Sequence, residues 1–308
     1  MSSIAARFLF AALAAVLALG GCGRADARAD AASAEGAIAL TDDLEHEVRL
    51  AGPARRIVSL KPSVTQTLVA MGAADRLVGR TDWDTDAALR HLPSVGGTVT
   101  PNLEQLVALR PDLVLGWETT DAATRQRIEE MGIPVFATRS HDTTDVFRSF
   151  ASLGRLTGRR RAADSLAASV RAELAAVAAS VRGLPRPSVF FVVWNDPPMT
   201  AGPDTYIGQL VEIAGGRTAF PELRREFTQV SMEEIVRRQP QVLVLPQGED
   251  SVLRAASLRR LPGWRELRAL NGGATVELPA DLISQAGPRL GESARRLRDA
   301  IHPDRAGR

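Results

Sequence analysis

Trp83, Trp117 and Trp194 have the clearest capacity for recognition chemistry in this chain. Each follows a short apolar run of strand character: Leu77-Val78-Gly79, Leu113-Val114-Leu115 and Val189 to Val193. An indole on a loop after a strand can lay its face against a large flat ligand, although a lone tryptophan is more often core or a half-buried lid. The fourth tryptophan, Trp264, falls in a stretch that reads as a surface helix and is set apart. Arg80 and Arg139 also follow strand-like runs, and a guanidinium there could bind an anionic ligand or simply face solvent.

Metal and catalytic chemistry find less support. His46, His91, His141 and His302 are the only histidines. His46 precedes the first apolar strand and His302 lies near the end, so a three-imidazole zinc site is not expected. Asp82, Asp84 and Asp86 alternate as in a calcium loop, but Ala87 replaces the required glycine and Pro93 the bidentate glutamate. They read as turn and rim residues. Neither a G-x-S-x-G elbow nor a phosphate loop, an H-E-x-x-H helix or a dinucleotide fingerprint is present, which leaves only a diffuse acid/base site as a remote enzymatic alternative. No cofactor is implied.

The elements that would position these residues begin after a targeting segment. Arg7 precedes an apolar run from Phe8 to Leu19, too short for the roughly 20 residues a membrane span needs, so it reads as a signal peptide. The run ends in Leu19-Gly20-Gly21-Cys22, which resembles the lipobox of bacterial lipoproteins and marks Cys22, the only cysteine, for lipidation. Gly23 to Ala37 lacks apolar periodicity and reads as a flexible tether. The remaining chain exceeds the usual size of a single domain, so two lobes are expected. The pI of 9.3 suggests a nucleic-acid partner only until its source is traced. With one lysine and one tyrosine, a net charge of +2 persists far up the pH scale, and no basic block with interleaved aromatics occurs. No nucleic-acid partner is expected.

An internal duplication organises the lobes. Asn102 to Val107 followed by Arg110 to Leu115 recurs 129 residues later as Ser231 to Val236 followed by Gln239 to Val244. Each copy reads as a capped helix, a proline and a buried strand. A looser echo joins Ile57 to Leu60, Pro62 and Gly72 with Val189 to Val193, Pro197-Pro198 and Gly215. Buried strands alternating with helices imply parallel sheets and an α/β fold. Between the halves, Leu166, Val170, Leu174, Val177 and Val181 mark one helix from about Thr157 to Arg182, about 37 Å long. The expected division is signal peptide 1–21, lipidated N terminus and tether 22–40, first lobe 41–156, connecting helix 157–182, second lobe 183–302 and tail 303–308. The ligand cleft then lies between two Rossmann-like lobes, at the strand C-terminal ends.

These residues resemble the helical-backbone class of periplasmic binding proteins, which serve ABC importers. The matches are Arg56 to Ser63, Leu77-Val78-Gly79, Asn102-Leu103-Glu104 running into Arg110 to Val114, Thr200-Ala201-Gly202, Ala214-Gly215-Gly216 and Gly287-Pro288-Arg289. The chain looks most like the cobalamin-binding branch, with ferric siderophore and haem binding as alternatives; Thr98 departs from it where another aromatic can stand. The resemblance implies ligand contacts from Trp83, Trp117 and Asp281 and a monomer anchored outside the cytoplasmic membrane. It also implies that Glu104 and Glu233 dock onto arginines of the importer's membrane-subunit dimer. The plainer role for these glutamates is completion of a capping box.

Overall fold

The computed structural model describes residues 36–303, apart from residues 119, 121, 225–226, 249–252 and 273. Cys22, the signal segment and the tether lie outside the described residues.

Two parallel four-stranded sheets form the two lobes. The first is built from β3 (Ile57–Ser59), β4 (Leu77–Gly79), β5 (Leu113–Trp117) and β6 (Val135–Thr138), and the second from β7 (Ser188–Phe191), β10 (Arg217–Thr218), β12 (Val242–Gln247) and β13 (Thr275–Pro279). Their spatial orders, β4-β3-β5-β6 and β10-β7-β12-β13, are the same when each lobe is numbered from its own first strand. The register agrees as well: Ile57 pairs with Leu113 as Val189 pairs with Val242. Every residue of β3, β6 and β7 is buried, which is why these strands read as continuous apolar runs.

The 129-residue repeat is confirmed in detail. Helix α2 (Leu103–Ala108) is capped by the Asn102 side chain, which accepts from Gln105 N at 3.0 Å. Its counterpart α7 (Met232–Arg238) is capped by Ser231, which accepts from Glu234 N at 3.1 Å. Arg110 and Gln239, 129 residues apart, leave these helices with φ of 45° and 44°, an unusual conformation for a side-chain-bearing residue, repeated at the equivalent place. The looser echo corresponds to α1 (Pro62–Ala70) and α6 (Tyr206–Ile213), each followed by a glycine at positive φ, Gly72 and Gly215. The offset grows from 132 residues at the strands to 143 at these glycines because the second lobe inserts β8 (Trp194–Asn195) and β9 (Pro198–Ala201). With β11 (Phe227–Gln229), they form a small antiparallel flap in the order β11-β9-β8.

One long helix connects the lobes, as the apolar stripe predicts, three residues shorter at its start and two at its end than the sequence bounds. α4 (Thr143–Leu156) closes the first lobe, and α5 (Arg160–Ser180) follows after three residues, about 32 Å long. One buried cluster joins Val146 and Phe150 of α4, Ala167, Val170, Leu174 and Val177 of α5, and the second lobe's Val189, Leu210, Leu290 and Leu297. Ala163, one turn earlier on α5, belongs instead to the first lobe's cluster with Leu153 and Leu156. The amphipathic stripe therefore faces both lobes. The last helix, α11 (Leu290–Ile301), packs along α5, and Arg295 pairs with Glu173. Trp264 departs from the sequence reading: it is 2% exposed, and its indole packs at a tilt against Phe190 in the second lobe's core.

The N-terminal hairpin of β1 (Ile38–Thr41) and β2 (Glu47–Leu50) packs Leu40 and Val48 into the first lobe's core and is tied to it further by a buried carboxylate. Asp42 pairs with Arg125 of α3 (Ala122–Glu130) at 2.6 Å and accepts from Ala137 N of β6 and from Leu44 N and His46 N. Burial alone would raise its pKa, but the Arg125 hydrogen bond, the backbone donors and the guanidinium charge together hold it below the ordinary value. The stabilisation is thus complete above the ordinary carboxylate range, near pH 4, and is lost as pH falls through the depressed folded value. Asp42→Asn leaves the buried Arg125 with only the partly exposed Glu129 as a carboxylate partner and should cost about 3 kcal/mol in denaturant unfolding, while flattening the acid limb of the stability curve.

Candidate ligand-binding site

A cavity of about 310 Å³ opens between the lobes at the C-terminal ends of their strands. The first lobe contributes Lys61 from the turn between β3 and α1, Pro62 and Ser63 from the first turn of α1, Trp117 from the end of β5, Ser140 after β6, and Trp83 and Thr98 from the loops after β4. The second lobe contributes Tyr206 at the start of α6, Phe227 of the flap, and Ser284, Gln285 and Ala286 after α10 (Ala280–Ile283). Four of these twelve residues are aromatic, two from each lobe, so the walls suit an extended apolar or π-faced molecule with hydroxyls and an amide along its edge.

The floor is rigid because the lobes touch there. Gln66 Nε2 donates to Gln285 Oε1 at 2.9 Å, and a Cβ added to Gly287 would lie 3.2 Å from the Ser63 carbonyl, so glycine permits this approach. Tyr206 N donates to His141 O at 2.8 Å, while Thr143 N and Oγ1 both donate to Gln209 Oε1. Trp83, 66% exposed, and Phe227, 41% exposed, stand at the mouth from opposite lobes. Trp117 lies deeper, with its ring centroid 5.4 Å from Lys61 Nζ.

The other residues singled out by sequence lie apart from this wall. Trp194 sits on β8, where its Nε1 donates to Asp196 O of the same hairpin at 2.8 Å. Asp281 is exposed, and its carboxylate lies 3.3 Å from Arg289, which also pairs with Glu292. Arg80 Nη1 donates to the neighbouring Thr81 carbonyl. Arg139 reaches back to the hairpin, donating from N and Nη2 to Asp43, and borders only a small crevice behind Lys61. The alternating aspartates are each spent on a turn: Asp82 accepts from Ser94 Oγ, Asp84 from Thr81 N and Oγ1, and Asp86 from Ala88 N.

Glu104 and Glu233 occupy the second helical position of α2 and α7. The capping-box position is the third, held by Gln105 and Glu234, so neither glutamate completes a box. Both are exposed, and among the described residues neither has a hydrogen-bond or ion-pair partner, whereas Glu234 is engaged by Arg237 and Arg238.

The sequence that builds this cleft between two pseudo-equivalent lobes matches the model of a known family. The model of that family, described as periplasmic binding protein, covers residues 57–282. The chain belongs to the periplasmic binding protein family. Among its relatives, an uncharacterized ABC transporter substrate-binding lipoprotein of Bacillus subtilis, YvrC, is 28% identical over 307 residues, 96% of each chain. A cobalamin-binding protein of Halobacterium salinarum is 34% identical over 257 residues, 80% of this chain and 69% of the relative. The periplasmic heme-binding protein RhuT of Roseiflexus sp. RS-1, solved in apo form, superimposes with a TM-score of 0.72 at 27% identity, covering 81% of this chain and all of that one. Among the described residues of this periplasmic binding protein, no helix is long and apolar enough to cross a membrane.

Sequence reasoning missed Lys61, Ser63, Tyr206, Phe227 and Gln285. A signal existed for two of them: Lys61 and Tyr206 are the only residues of their kind in the chain, each beside the start of a helix that opens the cavity. Phe227 lies in a short polar stretch without periodicity. As flat walls of the cavity, Trp83 and Trp117 should each lose about 1–3 kcal/mol of binding on replacement with alanine, read with cyanocobalamin and haemin as planar probes. Calorimetry measures this, and unchanged affinity in both variants, with unchanged thermal unfolding, would remove them from the site.

Proposed function

We propose that this chain is the extracytoplasmic, lipid-anchored substrate-binding protein of an ABC importer, and that it captures cobalamin or a related corrinoid. The aromatic wall formed by Trp83 and Trp117 in the inter-lobe cavity carries the ligand reading, and the cobalamin-binding relative of Halobacterium salinarum supports it. An iron chelate, haem or a ferric siderophore, is the second reading, favoured by the likeness to the heme-binding RhuT structure. Anchorage through Cys22 is supported by the Leu19-Gly20-Gly21-Cys22 pattern and by a lipoprotein relative matched over nearly its whole length. The protein acts as a monomer that binds and releases its ligand without transforming it.

The braced floor favours a small hinge over wide closure, because the Gln66–Gln285 and Thr143–Gln209 contacts would have to break for the lobes to part. Mass and absorption analysis of protein purified from host membranes tests both halves of the proposal. A corrinoid spectrum and a lipid-modified Cys22 are expected; a haem or siderophore spectrum transfers the cargo to the second reading, and an unmodified Cys22 removes the anchor.

Docking falls to Glu104 and Glu233, exposed, without a partner among the described residues, and equivalent in the two repeats. A pseudo-symmetric pair of carboxylates is complementary to a two-fold membrane-subunit dimer that presents arginines. Charge-assisted hydrogen bonds of this kind contribute about 1.5–3 kcal/mol each. The Glu104→Arg, Glu233→Arg double variant should retain ligand affinity and lose uptake through the cognate importer; normal uptake by that variant would sink the docking role.

A further inference from the structure

Trp194 lies outside the cavity, yet the flap joins it to the cavity wall. In an antiparallel ladder, residues directly opposite one another present their side chains to the same face. Trp194 of β8 pairs with Met199 of β9, Met199 pairs with Gln229 of β11, and Ala201 pairs with Phe227. Phe227, Gln229, Met199 and Trp194 therefore share one face of the flap, and Phe227 carries that face to the mouth of the cavity. Two strand spacings and two residues of rise place Trp194 about 12 Å from Phe227.

The opposite face of the flap is anchored to the second lobe. Thr200 is buried and its Oγ1 donates to Phe191 O at the end of β7, while the core indole of Trp264 donates from Nε1 to Asn195 O, beside Trp194. Val193 N and Val230 N donate to Met199 O and Pro198 O, so the chain is held on both sides of β9. Trp194 gives its own N–H to Asp196 O and is 47% exposed. It offers an oriented aromatic face rather than a hydrogen bond, and an exposed apolar face on a fixed support is a preorganised contact.

This shelf exists on one side only. Thr98, 129 residues before Phe227, lines the mouth from the first lobe, but there the chain passes from β3 straight into α1 with no counterpart of β8 and β9. The cavity, about 310 Å³, is at the small end for ligand sites, so a macrocycle with side arms overfills it. We infer that the binding surface continues from the cavity along the flap, and that Trp194 stacks against a second flat group carried on an arm of the ligand that passes Phe227. This rests on the proposed capture of a corrinoid, whose nucleotide arm ends in a flat base.

Titrations of the whole mature protein with cyanocobalamin and with dicyanocobinamide, the same macrocycle without the nucleotide base, test it. The wild type should bind cyanocobalamin the tighter, and Trp194→Ala should weaken cyanocobalamin roughly five- to a hundredfold while leaving dicyanocobinamide within about twofold. Trp194→Leu, which keeps apolar bulk without a flat face, carries the same expectation if Trp194→Ala does not fold. Trp194→Phe, which keeps a ring and loses the N–H, should retain most of the preference; a loss as large as that of Trp194→Ala would reduce Trp194 to a brace of its hairpin and overturn the stacking role. Equal affinity for the two probes in the wild type, or equal loss of both or of neither in Trp194→Ala, overturns the shelf while leaving the macrocycle reading intact. Unchanged affinity with failed uptake in Trp194→Ala overturns it in favour of a contact with the importer. Binding of neither probe by the wild type overturns the corrinoid reading and the shelf with it.

Discussion

The apolar stripe of α5 is the constraint on which the cavity depends. Ala163 packs into the first lobe, whereas Ala167, Val170, Leu174 and Val177 pack with the second, so one rigid rod belongs to both hydrophobic cores. At roughly 25 cal/mol per Å² of apolar surface, exposing such a seam would cost several kcal/mol, more than a flexible linker could resist. The helix therefore sets the relative position of the two sheets, and the space left between their strand ends is the cavity. The Gln66–Gln285 hydrogen bond and the Gly287–Ser63 approach are local consequences of that placement.

Duplication and departure from duplication divide the labour between the lobes. The repeated parts, two sheets of one order with α2 and α7 capped alike, provide a pseudo-symmetric frame with Glu104 and Glu233 at matching places. The unrepeated parts make the site asymmetric. The first lobe brings Lys61 and two tryptophans; the second inserts β8 and β9, and against β9 it pairs the strand that carries Phe227 to the mouth. A symmetric face can meet a symmetric partner while an asymmetric cleft meets a ligand without symmetry.

The cavity joins flat apolar walls to a single concentrated charge. In water, an exposed lysine would discriminate weakly between charged and neutral partners, because bulk dielectric and salt screen it. Beneath Trp117, at 5% exposure, the same ammonium acts through protein rather than solvent.

Much of this was legible from contiguous residues. The 129-residue repeat, the caps at Asn102 and Ser231, the buried strands and the amphipathic stripe from Leu166 to Val177 follow from periodicity and punctuation, which short stretches of chain carry by themselves. Trp83 and Trp117 were legible for the same reason, since each follows or closes a strand-like run. Where the local pattern was thin, the reading failed: Trp264, taken for a surface residue, is core because Phe190 lies beside it, and Glu104 and Glu233 sit one position short of a capping box. Lys61, Tyr206, Phe227 and Gln285 come from four separated segments, and only the seating of both sheets on α5 brings them to one wall. A sequence determines which face of each element is apolar; which residues then meet across a cleft depends on how the buried faces pack, a long-range property that no single segment contains.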